Sequence, residues 1–304
     1  MLPIFSIIKR AGRAAIEGIL IAGAAGSLGI GAAYSADEGA DCPPSACVEI
    51  GAWQFALGVG VGVRSNPLND GDAIPLVLLP QVRYYGERFF LENLEAGWTI
   101  SEGRNLMVNA LVTPSYDGVF FNRWDPGNVF VDVFANTDSV ASEGGQAPTD
   151  DVDAQTEVRA SELSKRRFSY LGGLEFSYDL QHGMIQALFL SEITGRHSGK
   201  EIRFAYQHPL TPRVSATLGF TWKDKKLTDY YYGIDRDEVG DDRAEYRPSA
   251  SFNPFIRLSA RSPGAGKGWR LGLEWQRLDT EITRSPIVDD DDVITVFLGR
   301  QIVF

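Results

Sequence analysis

The fold is decided by a stretch near the amino terminus in which apolar residues alternate with small or polar ones, Trp53-Gln54-Phe55-Ala56-Leu57-Gly58-Val59-Gly60-Val61-Gly62-Val63-Arg64. Every odd-numbered residue in this stretch is apolar, and every even-numbered residue is small or polar. Successive side chains of a β-strand point to opposite faces, so a period of two predicts a strand with one apolar face. The stretch is longer than a usual soluble strand and has the length that a tilted strand needs to cross a bilayer.

The same alternation recurs through the rest of the chain, and short and long connections alternate between the runs. Eleven runs are candidate strands: 52–64, 75–85, 88–100, 104–115, 166–179, 183–194, 199–208, 212–223, 248–261, 267–280 and 292–304. We assign the short connections, 103–104, 180–183, 209–212 and 262–268, to the periplasmic side. The long ones, 117–165, 195–199, 224–247 and 281–291, are assigned to the outside. The pattern predicts an all-β fold, a transmembrane antiparallel β-barrel spanning residues 52–304.

The number of strands has two solutions. A single-chain bacterial barrel with both ends in the periplasm has an even number of strands, whereas eleven runs are visible. Residues 75–100 either form one long, bulged strand, giving ten strands, or 88–100 splits into a short hairpin, giving twelve. Pro80 and Gly86-Glu87 mark bends in this region, and we prefer ten strands, with twelve as the alternative.

The amino terminus resembles a secretory signal. Lys9, Arg10 and Arg13 precede an uncharged segment, Gly18 to Ala33, and small residues at Ala33 and Ser35 favour cleavage after residue 35. We therefore expect residues 1–35 to be a signal peptide and 36–51 to be a periplasmic N-terminal segment. In that oxidising compartment the two cysteines, Cys42 and Cys47, are expected to form a small local disulfide.

The final run, 292–304, ends in Phe304. Counting back from Phe304, apolar residues occur at alternate positions. This arrangement resembles the signal by which barrel-assembly machinery recognises its substrates, and that machinery is therefore an expected partner during biogenesis. Arg300 departs from the pattern.

Composition excludes several classes of function. The net charge is −11, so the chain lacks the basic character that nucleic-acid binding requires. Two cysteines and three histidines supply too few soft ligands to indicate a structural zinc site, and neither a metal nor a cofactor is expected. The mean hydropathy of −0.13 argues against a helical membrane protein but suits a barrel, in which only alternate residues face lipid.

Few residues are candidates for chemistry, and we assign no catalytic, cofactor or metal residue. His197 and Ser198 are adjacent, but neighbours in an extended chain diverge, so a polar loop explains them better than a catalytic pair. The acidic run Asp289 to Asp292 is explained better as a solvated loop than as a cation site. Tyr230 to Tyr232 are expected to form part of an interfacial belt rather than a sugar-stacking site. His182 and His208 are expected to be solvated at periplasmic turns.

The lumen is expected to be lined by charged and small residues. Inward-facing charged residues are predicted to be Arg64, Glu175, Arg203, Arg257, Arg270, Glu274 and Arg300. A narrow ten-stranded interior can be filled by such side chains, whereas a twelve-stranded barrel can conduct small solutes.

Several segments together resemble the MipA/OmpV family of outer-membrane proteins. They are the first strand and its loop, Trp53 to Leu68; Pro75 to Pro80; Tyr84 to Phe90; Tyr231 to Ile234; and Ser285 to Asp289. Their order spans nearly the whole expected mature chain, although the 117–165 loop fits least well.

The resemblance implies a non-enzymatic protein of the Gram-negative outer membrane, in contact with membrane lipid and lipopolysaccharide. It implies a scaffold role, with a lytic transglycosylase and a penicillin-binding protein as partners. A narrow channel for small solutes is the alternative, and a lipid-modifying enzyme is a weaker one.

Overall fold

A computed structural model describes residues 50–69, 71–121, 129–131, 143–144, 166–239, 244–262 and 268–304. The predicted signal peptide, residues 36–49 with both cysteines, and most of the 117–165 loop lie outside these residues. The strands are β1 Trp53–Arg64, β2 Ile74–Tyr85, β3 Phe89–Glu92, β4 Glu95–Glu102, β5 Leu106–Pro114, β6 Val129–Val131, β7 Glu143–Gly144, β8 Tyr170–Leu180, β9 Gly183–Glu192, β10 Lys200–Thr211, β11 Val214–Lys223, β12 Ser251–Arg261, β13 Trp269–Arg277 and β14 Asp292–Val303.

Twelve of these strands close into an antiparallel barrel, in the order β1-β14-β13-β12-β11-β10-β9-β8-β5-β4-β3-β2. The first and last strands pair directly, from Ala56 opposite Val303 to Arg64 opposite Thr295. Short β6 and β7 pair with each other outside the barrel sheet. Because each strand pairs on both sides, closure removes the exposed edges that an open sheet would present to lipid.

The preferred count of ten strands is wrong, and the alternative of twelve is confirmed. The run 88–100 divides into β3 and β4 at a two-residue turn, Asn93-Leu94. Asn93 has a φ of 51°, in the left-handed region that Asn tolerates better than most residues. Its backbone N–H donates to the Val82 carbonyl at 2.8 Å, and its side-chain oxygen accepts from the Val82 N–H at 2.9 Å. These two bonds end the short hairpin against β2.

The two rims of the barrel differ in the length of their connections. β1 begins and β14 ends at one rim, where residues 181–182 and 212–213 are tight turns. The long connections, including 115–169, 224–250 and 278–291, all lie at the other rim. Outer-membrane barrels have short periplasmic turns and longer outer loops, so we take the rim with the chain ends as periplasmic.

The apolar stripe of each strand faces outward, as predicted. On β1 the odd-numbered Trp53, Phe55, Val59 and Val61 are exposed, whereas Arg64 on the opposite face is buried in the lumen. The predicted inward direction of Arg300 is wrong. It lies opposite Val59 and Trp269 on the outer face. Residues two apart on a strand share a face, and its neighbours Leu298 and Ile302 both point outward.

Glycines on the inward face of β1 make room for an aromatic ring. A Cβ on Gly62 would lie 2.5 Å from the Val296 carbonyl and 2.8 Å from the Phe297 ring. The Phe297 side chain is fully buried and packs with Ile74, Leu76 and Leu79 of β2. Replacing Gly62 would therefore push the closing strand and this ring apart.

Two short helices lie in the outer loops: α1, Lys225–Tyr232, and α2, Thr280–Thr283. A turn of 3₁₀-helix, Tyr116–Phe120, follows β5. No helix in the described part of the chain is long and apolar enough to cross a membrane.

Candidate functional site in the barrel lumen

An apolar plug, built from the outer loops, fills the outer end of the lumen. Asp224 caps the amino end of helix α1, and its side chain accepts from the Leu227 N–H at 3.0 Å. The helix buries Leu227, Tyr231 and Tyr232. The plug also contains the buried Leu68, Leu111, Leu171, Leu188, Leu190, Ile234, Leu278, Ile282, Ile287, Val288 and Val293. Loop and barrel wall thus share one hydrophobic core, whose burial stabilises the loops in the mouth.

The carboxyl end of α1 is held from two sides. The Tyr232 carbonyl accepts from the Ser285 hydroxyl at 2.6 Å, next to α2. The Gly233 carbonyl accepts from the Arg166 guanidinium at 2.6 Å, and Arg166 also forms an ion pair with Glu238. Side chains thus satisfy the carbonyls that a helix end leaves without intrahelical partners.

A layer of buried charged side chains lies next to the plug. The Asp117 Oδ1 atom accepts from the Lys223 ammonium at 2.5 Å and from the Tyr232 hydroxyl at 2.7 Å. Tyr232 therefore joins the apolar plug to this layer through one carboxylate oxygen. Burial raises the pKa of Tyr232 well above its ordinary value, so its hydroxyl remains a proton donor to Asp117.

Two further ion pairs belong to the charged layer. Arg203 pairs with Glu201 and also donates to the Pro114 carbonyl at 3.0 Å. Arg257 on β12 contacts Glu274 on β13 at 2.5 Å, as their register across the two strands requires. Sequence parity correctly predicted that Arg203, Arg257 and Glu274 face inward.

A cavity of about 100 Å³ lies among these ion pairs. It is lined by Arg64, Tyr116, Asp117, Phe120, Glu201, Arg203, Thr221, Lys223, Phe255, Arg257, Glu274, Gln276 and Val293. Four of the lining side chains are cationic and three are acidic. The cavity can hold a few waters or a very small polar solute.

A second polar cluster surrounds Glu175, also predicted to face inward. Its carboxylate accepts from the Asn109 amide at 3.0 Å, from the Ser177 hydroxyl at 3.2 Å and from the Gln186 amide. These bonds offset the cost of burying a carboxylate. They join strands β5, β8 and β9 across the lumen wall.

His197 and Ser198 lie in different surroundings, although they are adjacent in the chain. Ser198 is exposed, with a φ of 52°, while the His197 ring turns inward to the Ser169 hydroxyl, 3.1 Å from Nε2. The contact with Ser169 could not be predicted from the sequence, because 28 positions separate the two residues.

The Ser169–His197 contact lacks the geometry of a general base and its nucleophile. His197 Nδ1 accepts from the Gly199 N–H at 3.1 Å, so the ring proton of the neutral tautomer is on Nε2 and points to Ser169. Burial lowers the pKa of His197, which favours that neutral ring. Ser169 is buried and also bonds the Tyr231 hydroxyl at 3.1 Å, which makes it a structural link to the plug.

The expected tyrosine belt is wrong for two of its three members. Tyr231 and Tyr232 are fully buried in the plug, because α1 turns its apolar face into the lumen. Tyr230 is half-buried, and its ring is tilted by 34° against the His197 ring, with centroids 4.9 Å apart. The run of three aromatics signalled a membrane rim, but the helix between β11 and β12 was not predicted.

The acidic run at 289–292 is divided between different environments. The backbone N–H groups of Asp289 and Asp290 donate to the Pro67 carbonyl, Asp291 pairs with Arg277, and Asp292 is buried at the start of β14. Within the described residues, no group of three or more His, Cys, Asp or Glu side chains is placed to hold a metal ion. At the periplasmic rim, His208 Nδ1 lies 2.6 Å from the His182 carbonyl.

A closed antiparallel barrel with an apolar exterior and a charged interior defines the class of outer-membrane β-barrel proteins. The sequence profile of the family described as "MltA-interacting protein MipA" matches residues 57–304, and the chain belongs to this family. The protein is located in the outer membrane of a Gram-negative bacterium.

Two curated relatives come from Escherichia coli (strain K12). The "MltA-interacting protein" is 23% identical over 241 residues, which cover 78% of this chain and 84% of that protein. The "Putative outer membrane protein YiaT" is 22% identical over 253 residues, or 82% of this chain and 90% of that protein. Among solved structures, an outer membrane channel from Pseudomonas putida F1 has a TM-score of 0.41 at 11% identity, covering 88% of this chain and 100% of that one.

Proposed function

We propose that this barrel is a non-enzymatic scaffold that holds a murein-degrading lytic transglycosylase at its periplasmic rim. One observation carries the proposal: the lumen is occupied, within the described residues, by the apolar plug and the charged layer. A filled lumen leaves the two rims as the surfaces on which the protein can act. The name of the E. coli relative, MltA-interacting protein, supplies the kind of partner.

The absence of a catalytic role is part of the same proposal. Ser169 is buried, and the His197 ring proton is directed at its hydroxyl, so this pair does not support acyl transfer. A penicillin-binding protein as second partner, and contacts with lipopolysaccharide at the outer rim, remain proposals from the family resemblance.

A binding measurement with the lytic transglycosylase MltA tests the scaffold. The barrel is reconstituted in nanodiscs of phosphatidylcholine and immobilised, and MltA is passed over it, with empty nanodiscs as the control. Saturable binding is expected on nanodiscs that contain the barrel and not on empty nanodiscs. Equal signals from loaded and empty nanodiscs would sink the scaffold proposal.

A second candidate function, a narrow solute channel, is favoured by the cavity with charged walls next to the plug. Conductance in planar bilayers separates the two candidates. The scaffold predicts no sustained conductance for the wild type. The Leu227→Ala/Tyr232→Ala variant is expected to loosen α1. Steady single-channel steps in the wild type that become larger in this variant would support the channel instead.

A further inference from the structure

Three arginines lie at the periplasmic rim, one in the turn before β11 and the others on the neighbouring strands β12 and β13. Arg213 is in the turn before β11, and its carbonyl accepts from the Arg261 N–H of β12 at 2.9 Å. Arg261 is in turn the register partner of Arg270 on β13. We call these three residues the arginine sector. It is continuous from β11 to β13, which is about 10 Å across two strand spacings.

The arginine sector lacks acidic side chains, although the chain is acidic as a whole. Residues 211–217, 257–262, 268–273 and 298–304, the periplasmic ends of β11 to β14, contain no Asp or Glu. Elsewhere on this rim the signs are mixed, since Glu87 adjoins Arg88 and Glu102 lies near Arg104. The sector is thus a local excess of positive charge in a chain of net charge −11.

The β12–β13 register brings two like charges together. Four residues nearer the outer rim on each strand, Arg257 lies opposite Glu274 and forms an ion pair with it in the lumen. Residues four apart on a strand share a face, so Arg261 and Arg270 point toward the periplasmic mouth of the same lumen. The two arginines occupy directly opposing positions on the strand pair, so their positive charges add at this part of the rim.

The direction of these side chains favours an aqueous partner over lipid. Arg261 and Arg270 are on the inward face, and Arg213 is exposed in a turn. Guanidinium groups match carboxylates in a two-pronged geometry, and the width of the sector suits two or three carboxylates along one short segment. An extended segment places alternate side chains about 7 Å apart on one face.

We propose that the arginine sector, Arg213, Arg261 and Arg270, is the docking surface for an acidic segment of a periplasmic protein partner. The identity of that partner as a murein enzyme rests on the proposed function, but the acidic chemistry of the segment does not.

The test uses the full-length protein in phosphatidylcholine nanodiscs with two probes, the transglycosylase MltA and a polyglutamate peptide. The Arg261→Gln/Arg270→Gln variant is compared with Arg88→Gln/Arg104→Gln, which removes the same charge from another part of the rim. We expect binding of both probes to weaken about tenfold in the first variant and less than about twofold in the second. The faster electrophoretic migration of unheated samples checks that each barrel is folded.

The outcomes separate this inference from the scaffold proposal. If MltA fails to bind but polyglutamate binds through the sector, the sector stands and its murein partner is wrong. If MltA binds the wild type and both variants equally, the scaffold stands and the sector is overturned. If the two substitutions change only the retention of phosphatidylglycerol in mixed nanodiscs, the sector serves lipid head groups and the inference is wrong.

Two measurements keep the test decisive if the glutamine variant does not fold. The Arg261→Lys/Arg270→Lys variant preserves the charge but loses the two-pronged geometry, so it is expected to keep only part of the affinity for polyglutamate. With the wild type, raising salt from about 0.1 M to 1 M shortens the Debye length from about 10 to 3 Å and should abolish polyglutamate binding. Salt-independent binding would contradict the inference.

Discussion

At the scale of single residues, charged side chains that are buried in pairs stabilise the interior of the lumen. Asp117 and Lys223 are almost fully buried, at 4% and 8% exposure, and lie 106 positions apart in the chain. Asp117→Asn would leave the Lys223 ammonium without its countercharge, a loss expected to cost about 3–5 kcal/mol. Urea unfolding in detergent micelles, followed by tryptophan fluorescence, measures this free energy of unfolding.

The exposed pair Arg236–Glu245 is the matched control, because Arg236 is 86% exposed. Arg236→Met is expected to change the free energy of unfolding by less than about 1 kcal/mol. The double variant Asp117→Asn/Lys223→Met should regain much of the loss, since it leaves no buried charge. If Asp117→Asn alone lowers the free energy of unfolding by no more than Arg236→Met does, the charged layer does not hold the plug in place.

The alternation of side chains between the two faces of a strand explains which features of the lumen could be predicted and which could not. Arg64, Glu175 and Arg203 were placed inward because alternation along their own strands is a local property of the sequence. The partners of Asp117 were not predicted, because contact across the lumen depends on how many strands close the barrel. The inward prediction for Arg300 is wrong, although Arg300 is four residues from the exposed Phe304 and therefore shares its face.

At the scale of elements, the hairpin of β3 and β4 decides the strand count, and Asn93 decides the hairpin. Asn93→Gly keeps the left-handed backbone but removes the side-chain bond to Val82, at an expected cost of about 1 kcal/mol. Asn93→Val adds the strain of a β-branched residue in that conformation, of the order of 1–2 kcal/mol more. Both changes are measured by urea unfolding, and equal values for the two variants would mean that the φ of Asn93 carries no strain.

The same hairpin shows why element boundaries were harder to predict than element type. Alternation found every long strand, and the bounds of β1 and β14 agree to within a residue or two. Residues 88–100 read as one run because Phe89, Leu91 and Trp98 are all apolar. The turn lacks the glycine that marks most two-residue hairpins, and only Asn93 signals it. Helix α1 was missed for a similar reason, since eight residues between strands leave little helical period to detect.

At the scale of the whole molecule, the orientation of the barrel determines which partners the arginine sector can meet. The rim that holds the chain ends and tight turns is expected to face the periplasm. Ser198 lies at the opposite rim and Gln181 at the turn between β8 and β9, and both are exposed. In a background with Cys42 and Cys47 replaced by Ser, a single Ser198→Cys should react with a membrane-impermeant maleimide on intact cells. Gln181→Cys should react only after the outer membrane is permeabilised.

The paired substitutions control for each other, because each reports labelling of a comparably exposed loop residue on one rim. If Gln181→Cys is labelled on intact cells and Ser198→Cys is not, the barrel is inserted the other way. The arginine sector would then face the surroundings of the cell, where a periplasmic murein enzyme cannot reach it. The labelling pattern therefore tests in one step the assignment on which the scaffold proposal and the docking surface both depend.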